Sequence, residues 1–312
     1  MPAAMNRIEL HPCAAPQRLA RPDHFVAAAV SVDIGGDAIR LLLEAGSRGE
    51  LISAGKPPLG EYSAIVAVSG DSWSSETCLS GVTAAFPKID LLPEHEILVV
   101  TPRCRRFLDD THEMNARVYD PDGKPRREFL LGDGVSHVQT DARGNIWVGY
   151  FDEGVFGNYG WKTPVGAAGL SCFRNSGEKI WDFEAPSGFD EIADCYALNV
   201  GGGGAWCYYY TGFPIAHVDS NGRVRCWNTA TSGASAFAVG NEKILLYGGY
   251  REQRNACKLL GLHDQNATIV AEVSLILPRE IDLTRDRVIG RDKLLHAFLG
   301  DDWYVFSIDS LS

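Results

Sequence analysis

From Tyr150 to Gly169 the sequence reads YFDEGVFGNYGWKTPVGAAG, which sets two adjacent carboxylates, Asp152 and Glu153, ahead of three flat rings, Phe156, Tyr159 and Trp161. Gly154, Gly157, Gly160, Gly166 and Gly169 punctuate the run. Carboxylates accept hydrogen bonds from hydroxyls and attract cations, and aromatic rings supply stacking surface. With Tyr150 and Asn158 added, the run is a candidate ligand clamp. A Gly-rich loop of about 20 residues is also long for a compact domain, and such loops are often functional. Aromatics that cap the open end of a sheet and acids that satisfy turn amides account for the same residues, so both readings stand at this point.

Other candidates lie on either side. Asp133 and His137 flank the start of one expected innermost strand, and Glu191 and Asp194 the start of another, where such strands would line a central channel. Carboxylates gathered at the mouth of a channel suit a divalent cation such as calcium, which takes oxygen ligands. Asp133 and Asp194 are the candidate metal ligands and His137 the candidate proton-transfer group; a hydrated polar rim is the alternative. Arg103 and Arg105, in RCRRFLDDTHEMN, carry the guanidinium fork that grips a carboxylate or phosphate. Pairing with Asp109 and Asp110 in their own loop is the plainer expectation. In WCYYYTGFP, alternation sends Tyr208 and Tyr210 to one side and Tyr209 to the other, so only part of the run faces a ligand. Tyr210 is the candidate there, and Arg251 in YREQRN sits in an equivalent loop. The GGGG at Gly201 to Gly204 lacks the strand-to-helix context of a phosphate loop, and no Gly-x-Ser-x-Gly occurs.

The elements that position these residues repeat. Apolar patterns of period 3.6 are nearly absent, and short runs bounded by Gly, Asp, Asn and Pro recur throughout. VSHVQTDARGNIWVGYF from Val135, ADCYALNVGGGGAWCYYY from Ala193 and ASAFAVGNEKILLYGGY from Ala234 each read strand, tight turn, strand. Each is followed by a second hairpin, as in GLSCFRNSGEKIWDFEA and PIAHVDSNGRVRCWNTA, whose turns carry Asn or Gly where positive φ is wanted. Two hairpins make a four-stranded antiparallel unit of roughly 40 to 50 residues, the size of a β-propeller blade. The predicted architecture is therefore all-β: a six-bladed β-propeller in one domain, residues 1–312. Its blades fall at about 26–84, 86–132, 135–185, 193–230, 234–277 and 286–312. The last blade has only three strands, and the orphan RIEL at 7–10 is expected to complete it and close the ring.

The stretch DARGNIWVGYFDEGV resembles the Asp-x-x-Gly-Asn-Ile-Trp-x-Gly repeat of bacterial two-component-regulator-type propellers and, more loosely, NHL-type repeats. VYDPDGK and CFRNSGEKIWDF resemble outer hairpins of the same group. The resemblance covers the second to fourth repeats; the membrane and kinase parts that accompany such repeats in the regulators are not seen in this sequence, so a propeller standing alone is the expectation. It implies little about activity, since one fold hosts many functions.

Composition narrows the partners. The 312 residues carry a net charge of -11, which disfavours nucleic acid and anionic membrane surfaces. The basic patches at Arg103 to Phe107 and Lys124 to Glu128 read as solvated loop ends. No signal sequence or membrane span is visible, since the longest early apolar run is only FVAAAV. Eight scattered cysteines without a C-x-x-C point to a reduced, cytoplasmic chain. The leading expectation is a binding module that recognises a protein partner or a small polar ligand through its acidic and aromatic loops. A cation-assisted hydrolase or lyase acting on a small sugar-like or lactone substrate is the alternative, and a structural subunit is a third.

Overall fold

The computed structural model describes residues 6–45, 62–70, 74–83, 85–284 and 286–311. Parts of the first expected repeat, at 46–61, 71–73 and 84, lie outside the described residues. The chain divides into two compact units, one of Ala20–Phe183 and one of Met1–Leu19 with Glu184–Ser312.

The unit Ala20–Phe183 holds three four-stranded antiparallel sheets, each a meander in sequence order. The first runs Phe25–Val32, Ala38–Glu44, Tyr62–Ser69 and Ser74–Val82. The second runs Lys88–Leu91, Ile97–Val100, Ala116–Tyr119 and Pro125–Phe129. The third runs Val135–Thr140, Ile146–Tyr150, Leu170–Phe173 and Lys179–Asp182. Inner strands such as Ile97–Val100 are apolar throughout because both faces are covered. Ile97 and Val99 pack with Ile39, Val66 and Ile89, whereas Leu98 and Val100 pack with Leu131, Val138 and Val148. Alternation thus sends one strand's side chains to two neighbouring sheets. Outer strands such as Lys179–Asp182 have water on one side and are mostly polar or exposed.

The hairpin turns follow one chemical rule. Asp120 Oδ1 accepts from the backbone N–H of Asp122 and Lys124 at 3.1 and 2.9 Å, and Asp141 Oδ1 from Arg143 and Asn145 at 2.9 Å each. Asp219 Oδ1 does the same for Asn221 and Arg223 at 2.8 and 3.0 Å. In each turn the glycine three residues beyond the Asp, Gly123, Gly144 or Gly222, has φ near +80°. The repeated Asp-x-x-Gly is a turn device before it is anything else.

In the other unit, one four-stranded sheet is ordered Gln17–Arg18, Asp302–Ser307, Leu294–Leu299, Arg287–Arg291. The remaining strands form a single nine-stranded sheet. Asp194–Gly201, Gly204–Tyr210, Ile215–Val218 and Val224–Thr229 are one meander, and Ala234–Val239, Lys243–Gly248, Cys257–His263 and Asn266–Leu275 are another. A parallel pairing of Asn228 and Thr229 with Asn266 and Ala267 joins their outer edges.

The all-β, propeller-type meander anticipated from the repeats is present, but six separate blades are not. Among the described residues there are four discrete four-stranded sheets, and the two expected blades at 193–230 and 234–277 are fused. The expected closing strand is also corrected. Arg7–Leu10 pairs in parallel with Glu272–Leu275 rather than with the last sheet, whose edge is covered by Gln17–Arg18 against Asp302 and Trp303. The physical reason is that Leu10 reaches the core formed by Leu259, Val273 and Ile308, while the polar Gln17 and Arg18 suit an edge.

Candidate functional site

The candidate residues of the unit Ala20–Phe183 collect where three loop segments are stitched together. Val135 N–H donates to Pro102 carbonyl, Phe151 N–H to Gly134 carbonyl and Arg106 N–H to Tyr159 carbonyl, all at 2.9 Å. The backbones approach closely: a Cβ on Gly134 would lie 2.3 Å from Gly154 Cα, and one on Gly160 would lie 2.2 Å from Arg106 carbonyl oxygen. The glycines of the opening stretch therefore serve contact between segments more than flexibility. After Tyr150 the chain turns into a single-turn helix, Asp152–Phe156, instead of an open loop. Asp152 Oδ1 accepts from Glu153 N–H at 2.8 Å at its start.

Arg103 organises the cluster. Its Nε and Nη2 donate to the two oxygens of Asp133 at 2.9 and 3.0 Å, and its Nη1 lies 2.6 Å from Glu153 Oε2 in an ion contact that is off-line for a hydrogen bond. Asp133 is 1% exposed and also accepts from Cys104 N–H at 2.9 Å. The Arg103 guanidinium carbon sits 4.2 Å from the centre of the Tyr159 ring and 5.4 Å from that of Phe151. Partial burial opposes its charge, but the Asp133 hydrogen bonds and the charges of Asp133 and Glu153 outweigh burial and raise its pKa. Trp161 is buried, with its indole N–H donated to Cys104 carbonyl at 2.9 Å, and burial pushes the Cys104 thiol up, away from thiolate chemistry.

The remaining candidates fall as follows. Tyr150 is fully buried, its hydroxyl donating to Leu131 carbonyl at 2.5 Å, and burial raises its pKa well above the usual phenol value. It supports the cluster from below and offers a ligand nothing. Arg105 donates its backbone N–H to Glu113 Oε2 at 2.7 Å and approaches the Tyr159 ring at 5.6 Å. Asn158 is exposed, with Oδ1 accepting from Tyr159 N–H at 2.7 Å. His137 is half-buried, opposite Gly149 on the inner strand of the third sheet.

Asp194, Tyr210 and Arg251 belong to the other unit. Asp194 faces Tyr210 across two strands, and Arg251 is exposed at the start of a 3-10 turn. Tyr210 joins an aromatic group with Phe213, Tyr196 and Tyr250, in which the Tyr196 and Tyr250 hydroxyls are 2.5 Å apart. The expected cation ligands thus fall in separate units, and Asp133 already has both oxygens on Arg103. Among the described residues no group of three or more His, Cys, Asp or Glu side chains is arranged to hold a metal ion.

Arg103 does not pair with Asp109 or Asp110 as expected. Asp109 Oδ1 accepts from Thr111 N–H and hydroxyl, and Asp110 takes Arg106 at 2.9 Å. Sequence reasoning also missed the apolar side of the cluster. Leu108 is fully exposed, Phe156 is 71% exposed, and Phe107 and Met114 are about half exposed. The signal was available as two apolar residues between Arg106 and Asp109, in a loop otherwise polar enough to be passed over.

Residues 166–305, less than half of the chain, match the YxzG family. Comparison with curated proteins gives no match. Among solved structures the chain is similar to virginiamycin B lyase from Staphylococcus aureus, at 11% identity over 94% of this chain and 98% of that one, with a TM-score of 0.48. It is similar to a gluconolactonase from Xanthomonas campestris at 10% identity over 95% and 96% of the two chains, TM-score 0.43. The β-propeller domain of the Trilobed protease from Pyrococcus furiosus gives 13% identity over 90% and 82%, TM-score 0.44. These likenesses extend no further than the propeller-type architecture that the four-stranded meanders already display.

Proposed function

We propose that the chain is a protein-binding module, and that the loops 103–114 and 151–161 recognise a partner segment combining apolar with basic side chains. The observation that carries this reading is the exposure of Leu108, Phe107, Met114 and Phe156 on loops whose bases are pinned by the Arg103–Asp133 pair. Large apolar groups on ordered loops supply the water-excluding anchors of an interface, and a rigid base lowers the ordering cost of binding. Around them stand the exposed carboxylates of Asp109, Asp110 and Asp152. With a net charge of -11 these favour encounter with a basic partner. A reducing, cytoplasmic setting is part of the proposal and accords with eight free thiols. The cation-assisted hydrolase or lyase reading draws nothing from this cluster, because its buried carboxylate is already bound to a guanidinium.

Selection from a random peptide library tests the reading. Wild type is expected to enrich peptides bearing Lys or Arg beside aromatic or aliphatic residues, and the double variant Leu108→Asp, Phe156→Asp to lose them by tenfold or more, about 1.4 kcal/mol, with an unchanged melting temperature. Equal capture by the folded variant, or enrichment of acidic peptides, overturns the proposal.

A further inference from the structure

Away from that cluster, within the unit of Met1–Leu19 and Glu184–Ser312, three hairpin turns border a pocket of about 190 Å³. They are the Gly201 to Gly204 turn, the turn 240–242 and the turn 292–293. Asn199, fully buried, ties two of them together. Its Nδ2 donates to the carbonyls of Phe237 and Asp292 at 2.7 and 3.0 Å, and its Oδ1 accepts from Asp292 N–H at 2.7 Å. Val239 N–H adds a further bond to Asp292 carbonyl at 2.9 Å. Asp292 is thereby fixed at the rim with φ +48°, a left-handed conformation that Asp tolerates better than most residues. A Cβ on Gly201 would come within 2.8 Å of Asp292 Oδ1, so glycine at 201 leaves the carboxylate its place.

The pocket wall is aromatic. Trp206 stacks on His217 at 4.2 Å and on Trp227 at 5.5 Å. Register explains the wall: Asn199, Trp206, His217 and Arg225 are successive cross-strand partners in one row. His217 Nε2 is 2.9 Å from Gly203 carbonyl, and Nδ1 is 3.4 Å from Arg225 Nη2. That arrangement fits a neutral ring with its proton on Nε2, and burial lowers its pKa. The charged side chains that line the pocket are those of Asp292 and Lys293, with Arg225 behind His217; the Lys293 ammonium feels the Asp292 charge but is bonded to Asp309 at 3.0 Å. Among the described residues the Asp292 carboxylate and the half-buried Trp206 indole N–H have no hydrogen-bond partner.

We propose that this pocket binds a small organic cation through an ammonium or guanidinium group, with Asp292 as counter-ion and the Trp206–His217 stack as wall. A carboxylate with no hydrogen-bond partner among the described residues and an aromatic surface both favour positive charge. The Asn199 bonds hold the Asp292 backbone in position before any ligand arrives, so that only the exposed Asp292 side chain remains to be ordered. The volume corresponds to about six waters at ~30 Å³ each, which selects a compact headgroup over a drug-sized molecule. Exposed Asn241 at the rim adds a further hydrogen-bonding group.

Calorimetric titration with agmatine, methylammonium and, as the anionic control, acetate tests the site. Agmatine or methylammonium is expected to bind wild type with a Kd of about 1 mM or tighter, and acetate not to bind. Asp292→Asn, which keeps a residue tolerant of positive φ, is expected to weaken binding at least tenfold, and Trp206→Leu several-fold. A nitrogen–proton correlation spectrum of unmodified protein gives an independent reading, because the Trp206 indole resonance must move on titration. Absence of binding up to about 10 mM, equal affinity in Asp292→Asn, an unmoved Trp206 resonance or comparable binding of acetate each overturns the proposal.

Discussion

Arg103 and Asp133 show how burial decides a partner that sequence distance does not. Asp133, 1% exposed, needs a compensating cation, and Arg103 reaches it from 30 residues away with two parallel bonds. Asp109 and Asp110, nearer in sequence, are exposed: Asp109 accepts from Thr111 in its own turn, and Asp110 takes Arg106. Asp133→Asn removes the charge while keeping the shape, and the Arg103 side chain, a third exposed, keeps some access to water. The expected cost is about 2 kcal/mol, read as a lower urea midpoint with an unchanged slope. A midpoint within error of wild type contradicts the clamp.

At the scale of elements, the two N-terminal strands do different work. Arg7–Leu10 adds a parallel edge to Asn266–Leu275, and Gln17–Arg18 caps Asp302–Ser307. The sequence marked RIEL as an orphan strand, but the last sheet expected as its partner is not the one it joins, because a four-residue strand has no register preference strong enough to choose between open edges. Packing chose: Leu10, 2% exposed, is part of the Leu259, Val273 and Ile308 core. Leu10→Ala is expected to cost about 2–4 kcal/mol, and Gln17→Ala less than about 1 kcal/mol, measured side by side in urea. The reverse order contradicts the assigned pairing.

For the molecule as a whole, acid sensitivity follows from a buried histidine. His296 is 1% exposed, stacks on Trp303 and takes that indole's N–H on Nδ1 at 3.2 Å. Burial, and then the charge of Arg291, pushes its pKa down from 6.5 to about 3. The unfolded chain binds the proton more readily, so this contribution is complete above about pH 6.5 and drains as pH falls toward 3. Glu96 acts in the same direction at lower pH. Its two bonds to Arg127, both 2.7 Å, hold its pKa below the ordinary 4.5, and stability is lost as acid protonates it. Between pH 6.5 and 5 wild type is expected to lose about 2 kcal/mol through His296, and His296→Phe to show a flatter profile whatever its stability at neutral pH. Parallel profiles contradict the assignment.

By itself the sequence determined the strands, their hairpins and the loops that carry the candidate residues, because alternation and Asp-x-x-Gly turns act over a few residues and need no distant partner. The turns at Asp120, Asp141 and Asp219 were legible for that reason. Only tertiary structure decided that Arg103 holds Asp133, that Tyr150 lies beneath the cluster, that Arg7–Leu10 joins Asn266–Leu275, and that two expected blades share one sheet. Each outcome is a competition among open strand edges or among carboxylates of similar local appearance. Buried area and the desolvation of charge settle such competitions, and both exist only once the chain has folded.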